Sequence, residues 1–135
     1  DVPVIVNGDI GSRKDVLEAM KSSRASGVMI GRAAQGRPWL LGQAGDLLNG
    51  LEPRKVPSIK RRHWLMRMHL EDMLSHYGKT AMRLARKHIA WHSYGLPGSA
   101  ELRKIANNSN DSKVVFAAVD QFFSQLDPEL VINRW

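Results

Sequence analysis

Two related stretches near the start of the chain decide the fold: residues 4–9 read Val-Ile-Val-Asn-Gly-Asp, and residues 27–32 read Gly-Val-Met-Ile-Gly-Arg. Each contains a short apolar run, rich in β-branched residues, that leads into a glycine. This pattern is typical of a strand buried on both faces of a parallel sheet. Between the runs, Ser12 is a predicted helix N-cap, and Val16 and Leu17 are predicted to face the core. The spacing therefore predicts a βαβ unit, with Gly27 closing the helix.

The rest of the chain has helical spacing. Pro38 suits a first helical position, and Gly50 predicts the end of that helix. Residues 51–57 contain two prolines and are predicted to be a linker, so we divide the chain into residues 1–51 and residues 52–135. Beyond the linker, the apolar residues predict four helices with short connections, which is the pattern of a small antiparallel bundle. The predicted fold class is therefore mostly α.

Composition excludes several classes of protein and site. Hydrophobic residues make up 43% of the 135 residues, which is enough for a core, but no apolar run approaches the length of a membrane span. The sequence has no cysteine, so it supplies no disulfide, thiolate metal site or Cys nucleophile. It has no recognisable secretion signal, and we expect a cytoplasmic protein. Because the chain starts inside a strand-like run, we also expect it to be part of a longer protein.

The positive charge is concentrated in the middle of the chain. Residues 1–51 carry six Lys and Arg against five Asp and Glu, residues 52–113 carry thirteen against five, and residues 114–135 carry one against three. A one-sided basic excess is typical of polyanion binding, although it also fits a solvated helical surface. For a nucleic acid bound by this basic segment, we predict contacts to phosphates rather than to base edges, and an affinity that falls as the salt concentration rises. The candidate residues lie on two consecutive predicted helices: Arg61, Arg62, Arg83, Arg86 and Lys87.

Two glycines, Gly8 and Gly31, follow the two predicted strands directly. In a (β/α)8 barrel the loops after the last two strands commonly bind a phosphate, because glycine lets a backbone N–H approach the phosphate oxygens. Arg32 could add a charge-assisted hydrogen bond. The alternative is that both glycines are simple turn residues. Asp9 could be a general base, but we favour an orienting role in which it bonds the backbone of the turn.

The remaining candidates have weaker signals. His88 and His92 are four residues apart on a predicted helix, but no third ligand is near them in the sequence, so we predict no metal site. The tryptophans Trp39, Trp64 and Trp91 are most simply interpreted as core or interface residues.

The sequence resembles the tRNA-dihydrouridine synthases. Residues 4–10, Val-Ile-Val-Asn-Gly-Asp-Ile, and residues 27–39, Gly-Val-Met-Ile-Gly-Arg-Ala-Ala-Gln-Gly-Arg-Pro-Trp, look like the closing signature of that family. Residues 85–91, Ala-Arg-Lys-His-Ile-Ala-Trp, and residues 95–98, Gly-Leu-Pro-Gly, resemble the helical domain of its bacterial B-type branch.

The resemblance implies an enzyme that uses FMN and NADPH to reduce uridine in tRNA to 5,6-dihydrouridine. It implies that residues 1–51 are the last two β/α units of a TIM (β/α)8 barrel and that residues 52–135 are a tRNA-binding helical domain. The family's FMN-phosphate segments match Asn7, Gly8, Asp9, Gly31 and Arg32 in this sequence.

The family's catalytic cysteine has no counterpart here, so we predict no catalytic residue in this segment and no activity for the segment alone. Two alternatives remain open: the phosphate end of another FMN barrel oxidoreductase or a biosynthetic isomerase, and a free-standing basic helical module that binds nucleic acid. A barrel segment without its neighbouring strands would have open edges, so we also predict self-association.

Overall fold

The computed structural model describes residues 2–130. The chain is mostly helical with a small two-stranded sheet. It divides into two compact units, the first running through Val56 and the second starting at Pro57. No helix within residues 2–130 is long and apolar enough to cross a membrane.

The first unit begins with the predicted βαβ arrangement. Strand β1 (Ile5–Asn7), helix α1 (Arg13–Ser23) and strand β2 (Gly27–Met29) follow one another, and the strands pair in parallel with Val6 opposite Val28. Ser12 caps α1 as predicted, because its hydroxyl oxygen accepts a 3.2 Å hydrogen bond from the N–H of Asp15.

The strands are not buried on both faces, which corrects the sequence prediction. Ile5 and Met29 are each 56% exposed. Within residues 2–130, β1 and β2 pair only with each other, so no further strand covers their outer edges. Only part of the predicted apolar face of α1 is buried: Val16 is fully enclosed with Ile10, whereas Leu17 is 48% exposed.

The end of α1 also differs from the prediction. The helix is closed by Arg24 in the left-handed conformation, with φ of 53°, and the N–H of Arg24 donates to the carbonyl of Met20. Gly27 is instead the first residue of β2. Ser22 and Ser23 lie just before this helix end, and their hydroxyls donate hydrogen bonds to carbonyls of α1. Serine side chains make such local bonds in helices and in turns, so the sequence alone does not locate the end at Arg24.

A short 3-10 turn (Arg32–Ala34) follows β2, and helix α2 (Trp39–Leu48) begins directly after Pro38. The unit extends past the predicted division after residue 51, because Arg54 is anchored to α2. Asp46 accepts hydrogen bonds from the backbone N–H of Arg54 at 2.9 Å and from its guanidinium at 2.6 and 2.7 Å. These side-chain and backbone hydrogen bonds lower the pKa of Asp46 to about 2.

The second unit has four main helices: α3 (Ile59–Tyr77), α4 (Ala81–Ser93), α5 (Ser99–Asn108) and α6 (Ser112–Ser124). Helix α3 packs against α4 and α6, and α5 packs against the same two helices, so the four surround one core. The spacing of apolar residues predicts one buried face for the fourth helix of this unit, and all five of its residues are buried: Val115, Val119, Phe122, Phe123 and Leu126.

Two details differ from the sequence pattern, which predicts Leu84 on the buried side of α4 and Ser99 as the N-cap of α5. The buried side of α4 includes Met82 and Ile89, whereas Leu84 is 39% exposed. Ser99 does not cap α5. Gly98 occupies the cap position with φ of +76°, which glycine adopts without strain, and Ser99 is the first helical residue.

Candidate functional site

The loops that follow β1 and β2 meet at an open cavity of about 870 Å3. Asn7 and Met29 are in register at the ends of parallel strands, so the two loops leave the sheet at the same edge. The structure thereby brings together all five residues predicted to hold a phosphate. The complete lining is Asn7, Gly8, Asp9, Ile10, Gly31, Arg32 and Ala33.

The two glycines leave the backbone of this cavity accessible. Gly8 has φ of +148°, a conformation that residues with a side chain rarely adopt. A Cβ placed on Gly8 or on Gly31 would meet no atom within 4 Å. The space in front of both residues is therefore open, and a ligand can approach the main chain there.

Arg32 is the cationic side chain of the cavity, and it is paired with Asp9. A guanidinium N–H of Arg32 donates to the carboxylate of Asp9. The sequence prediction that Asp9 bonds the turn backbone is thus replaced by this ion pair. Both side chains are more than 80% exposed, and such pairs contribute little to stability. The guanidinium can therefore turn from the carboxylate to an incoming anion at small cost.

The second unit has an exposed basic surface, but only part of the predicted set contributes to it. Arg83 and Lys87 are exposed on α4, and Arg61 is exposed on α3. Arg83 and Lys87 are four residues apart, so they lie one turn apart on one side of the helix.

Arg62 does not lie on this surface, which corrects the prediction. It is only 6% exposed, and its guanidinium donates a 3.3 Å hydrogen bond to the backbone carbonyl of His92. The sequence contains a signal for this burial, since Arg62 lies three residues after Ile59 and four before Met66, both of which are core residues.

Arg86 makes a hydrogen bond within the second unit in addition to carrying a positive charge. It is partly buried on α4, and its guanidinium donates a 3.0 Å hydrogen bond to the side chain of Asn110 in the loop before α6. The Nε of Arg86 is buried and has no hydrogen-bond partner among residues 2–130. A substitution at Arg86 would therefore change the packing of the unit together with its charge.

Three histidines form a cluster between α3 and α4, and sequence reasoning found only two of them. The rings of His69 and His88 are 4.7 Å apart, and His69 Nδ1 is 3.4 Å from His92 Nε2. Burial, then the neighbouring His69, His88 and Arg62, lower the pKa of His92 to about 4. Burial also lowers the pKa of His88. Within residues 2–130, no group of three His, Cys, Asp or Glu side chains could hold a metal ion.

The tryptophans of the second unit are not core residues. Trp64 on α3 is 46% exposed, and the guanidinium carbon of Arg61 lies 3.9 Å from the centre of its ring. Trp91 is partly buried, with the His88 ring edge-on at 5.0 Å and Lys87 Nζ at 5.8 Å. Aromatic rings therefore lie beside basic side chains on both helices.

Residues 1–127 match the family model described as dihydrouridine synthase (Dus). The chain belongs to the dihydrouridine synthase family. It is 40% identical over 126 residues to a probable tRNA-dihydrouridine synthase of Rickettsia conorii, covering 93% of this chain and 38% of that protein. It is 37% identical over 131 residues to tRNA-dihydrouridine synthase B of Pseudomonas syringae pv. tomato, covering 92% and 37%.

A third relative, tRNA-dihydrouridine synthase B of Xanthomonas axonopodis pv. citri, is 35% identical over 126 residues. The resemblance inferred from the sequence is confirmed by these matches, including the B-type names. The chain spans about two fifths of the length of these dihydrouridine synthases.

Proposed function

We propose that this chain is part of an FMN- and NADPH-dependent tRNA-dihydrouridine synthase, an oxidoreductase that reduces uridine in tRNA to 5,6-dihydrouridine. The cavity at the common edge of β1 and β2 carries this proposal, because its glycine backbone and guanidinium suit a phosphate group. We infer that this phosphate belongs to FMN, and the match of residues 1–127 to the dihydrouridine synthase model supports that inference.

In this proposal the first unit is the closing part of a (β/α)8 barrel. Its parallel strands, the crossover helix α1 and the open, glycine-lined cavity after the strands support that assignment. The second unit, which starts at Pro57, is the tRNA-binding helical bundle and lies within the predicted domain of residues 52–135. The match of one family model across both units supports this proposal over another barrel oxidoreductase or a free-standing helical module.

The residues of the cavity would bind and orient the FMN phosphate. The backbone around Gly8 and Gly31 and the side chain of Asn7 would border the phosphate, and Arg32 would supply positive charge. The guanidinium of Arg32, which pairs with Asp9, would turn to the phosphate. When bound, FMN would supply hydride-transfer chemistry for the uracil ring, with NADPH as the reductant.

The proton that completes the reduction must come from elsewhere in the full-length protein. The sequence of this chain has no cysteine, the residue that the family resemblance implies as the proton donor. We therefore assign this chain cofactor and tRNA binding, and we expect no catalysis from it alone.

The decisive experiment uses the full-length gene that carries this chain, in a bacterium whose own dihydrouridine synthases are deleted. Mass spectrometry of its tRNA should then detect dihydrouridine. Arg32→Glu should lower the flavin content of the purified protein at least tenfold, because a favourable phosphate contact becomes a repulsive one. Arg13→Glu makes the same charge change outside the cavity and should retain flavin. Normal flavin content in Arg32→Glu, or tRNA without dihydrouridine, would contradict the proposal.

The proposed tRNA surface is tested by the salt dependence of binding. Arg83→Glu with Lys87→Glu should weaken tRNA binding and reduce the slope of log affinity against log salt by about 2. Lys104→Glu with Lys113→Glu makes the same charge change on α5 and α6 and serves as the control. Equal losses in the two double variants would mean that net charge, rather than this surface of α4, determines binding.

A further inference from the structure

Trp64 is an exposed aromatic residue that the core of the second unit does not use. The core side of α3 is formed by Ile59, Met66, Leu70 and Met73. At about 100° per residue, Trp64 points roughly opposite to that stripe. It is 46% exposed, although tryptophan is usually well buried.

The Trp64 ring is partly covered by the side chain of a neighbouring residue. The guanidinium carbon of Arg61 lies 3.9 Å from the ring centre, which is the distance of a cation–π stack. Arg61 and Trp64 are three residues apart on α3, so the helix backbone fixes their relative position. The indole is thus held in place, and its exposed area is the surface that Arg61 does not cover.

The charge around this pair determines which partner suits it. Lys60 and Arg61 are both exposed on α3, and its first turn contains no acidic residue. The first acidic residue of the helix is Glu71, two turns beyond Trp64, where it pairs with Arg67. A partner therefore needs negative charge together with a flat surface that can stack on indole. RNA with unpaired bases has both properties.

We propose that Arg61 and Trp64 form a stacking platform for an unpaired nucleotide of tRNA. Trp64 stacks on the base, and Arg61 orders the indole and attracts the adjacent phosphate. The proposal rests on the proposed function, and it adds a contact to bases that the basic residues of α4 do not make. Bases inside an A-form helix already stack on each other, so only a loop, bulge or end can supply the base.

The test measures binding of the 135-residue chain to unmodified tRNA transcripts over a range of salt concentrations. Trp64→Ala should weaken binding roughly tenfold to hundredfold, which is the usual effect of losing one base-stacking residue. Trp64→Phe should weaken it only a few-fold, since phenylalanine also stacks. Neither variant should change the salt slope, because neither removes a phosphate contact.

Tyr77→Ala is the matched control, because Tyr77 lies on the same helix and is 48% exposed. It should bind tRNA like the unmodified chain. A fully paired RNA duplex is the second control, and its weaker, phosphate-based binding should be the same with and without Trp64.

The outcomes separate this inference from the proposed function. If the unmodified chain binds tRNA and Trp64→Ala binds equally well, the stacking platform is wrong while the tRNA surface remains. An equal loss for tRNA and duplex, or an equal loss in Tyr77→Ala, also overturns the platform. If the chain does not bind tRNA but binds vesicles of anionic phospholipid in a Trp64-dependent manner, a membrane contact replaces both proposals.

Discussion

At the scale of single residues, His92 is an ionisable side chain placed where its charged form is disfavoured. It is 7% exposed in the core side of α4, with His69, His88 and Arg62 around it. Burial first, and then these neighbours, lower its pKa from an ordinary 6.5 to about 4. Between pH 6.5 and pH 4 the unfolded chain therefore binds a proton at His92 that the folded chain does not bind.

We expect the second unit to lose stability as the pH falls from about 6.5 towards 4. The unfolded state binds more protons in this window, so acid favours unfolding, by roughly 3 kcal/mol at most for this one residue. His92→Gln should give a flatter plot of Tm against pH, because glutamine does not titrate. The measurement is thermal unfolding followed by circular dichroism at several pH values. A control variant, His76→Gln at an exposed position of α3, should keep the original slope. Equal slopes in all three proteins would show that His92 is not the titrating group.

The residues that line the cavity after β1 and β2 could be located from the sequence, whereas two residues of the helical unit could not. Gly8 and Gly31 lie within two residues of the strand ends, so local order fixes their position at one edge of the sheet. Arg62 and Trp64 are both flanked by basic and apolar residues, and their burial depends on which side of α3 meets α4 and α6. That choice is made by tertiary packing: it buries the arginine, against the prediction, and it leaves the tryptophan exposed, which excludes only the core half of its interpretation.

At the scale of elements, a polar contact joins α3 to α6. Asp120 of α6 accepts a hydrogen bond from the guanidinium of Arg67, and its other carboxylate oxygen lies 2.7 Å from His63 Nε2. His63 is also stacked on Phe123 with 5.0 Å between ring centres. Burial acts to raise the pKa of Asp120, but the hydrogen bonds from Arg67 and His63 outweigh it, and the pKa lies below 3.8.

We predict that Asp120→Asn lowers the stability of the second unit by about 1 kcal/mol at neutral pH, since the contact is partly exposed. A depressed carboxyl pKa stabilises the fold above the unfolded value and ceases to do so as pH falls through the folded value. The difference between Asp120→Asn and the unmodified chain should therefore shrink below about pH 3.8. Urea unfolding of both proteins at pH 7 and near pH 3 measures this difference in the free energy of unfolding.

Glu71→Gln is the control for this contact. Glu71 pairs with the same Arg67, but both residues lie on α3, so the pair connects no second element. We expect Glu71→Gln to lower the free energy of unfolding by less than about 0.5 kcal/mol. A loss as large as that of Asp120→Asn would mean that the charge of Arg67, rather than the connection between helices, accounts for the effect.

Helix α6 and helix α4 show why some elements are easier to predict than others. In α6, Val115, Val119, Phe122 and Phe123 follow one helical stripe, and all four are buried as predicted. In α4, Leu84 and His88 compete with Met82 and Ile89 for the core side, and both sets have helical spacing with Ala81 and Ala85. The structure buries Met82 and Ile89, whereas Leu84 is 39% exposed and the ring of His88 packs against that of His69 on α3.

At the scale of the whole molecule, the two units differ in how completely they bury their apolar residues. The second unit encloses one continuous core between four helices. The first has a small core around Ile10, Val16 and Ala44, and much of its remaining apolar surface is exposed. These exposed residues are Val2, Val4, Ile5, Leu17, Met29, Leu41, Leu48 and Leu51. The first unit thus leaves more of its apolar side chains exposed than the second, relative to the size of its core.

We predict that the 135-residue chain self-associates through the free edges of its sheet. Within residues 2–130, β1 and β2 have no other partner strand, and unpaired strand edges pair readily with other chains. Light scattering after size exclusion should give a mass above that of one chain, rising with concentration. Ile5→Lys with Met29→Lys places charge on both strands and should shift the population towards the monomer. Leu41→Lys removes a similarly exposed apolar residue from α2 and leaves the edges unchanged. Dissociation by Leu41→Lys alone would assign the association to the helix surface, and a monomer in the unmodified chain would show that the open edges do not pair.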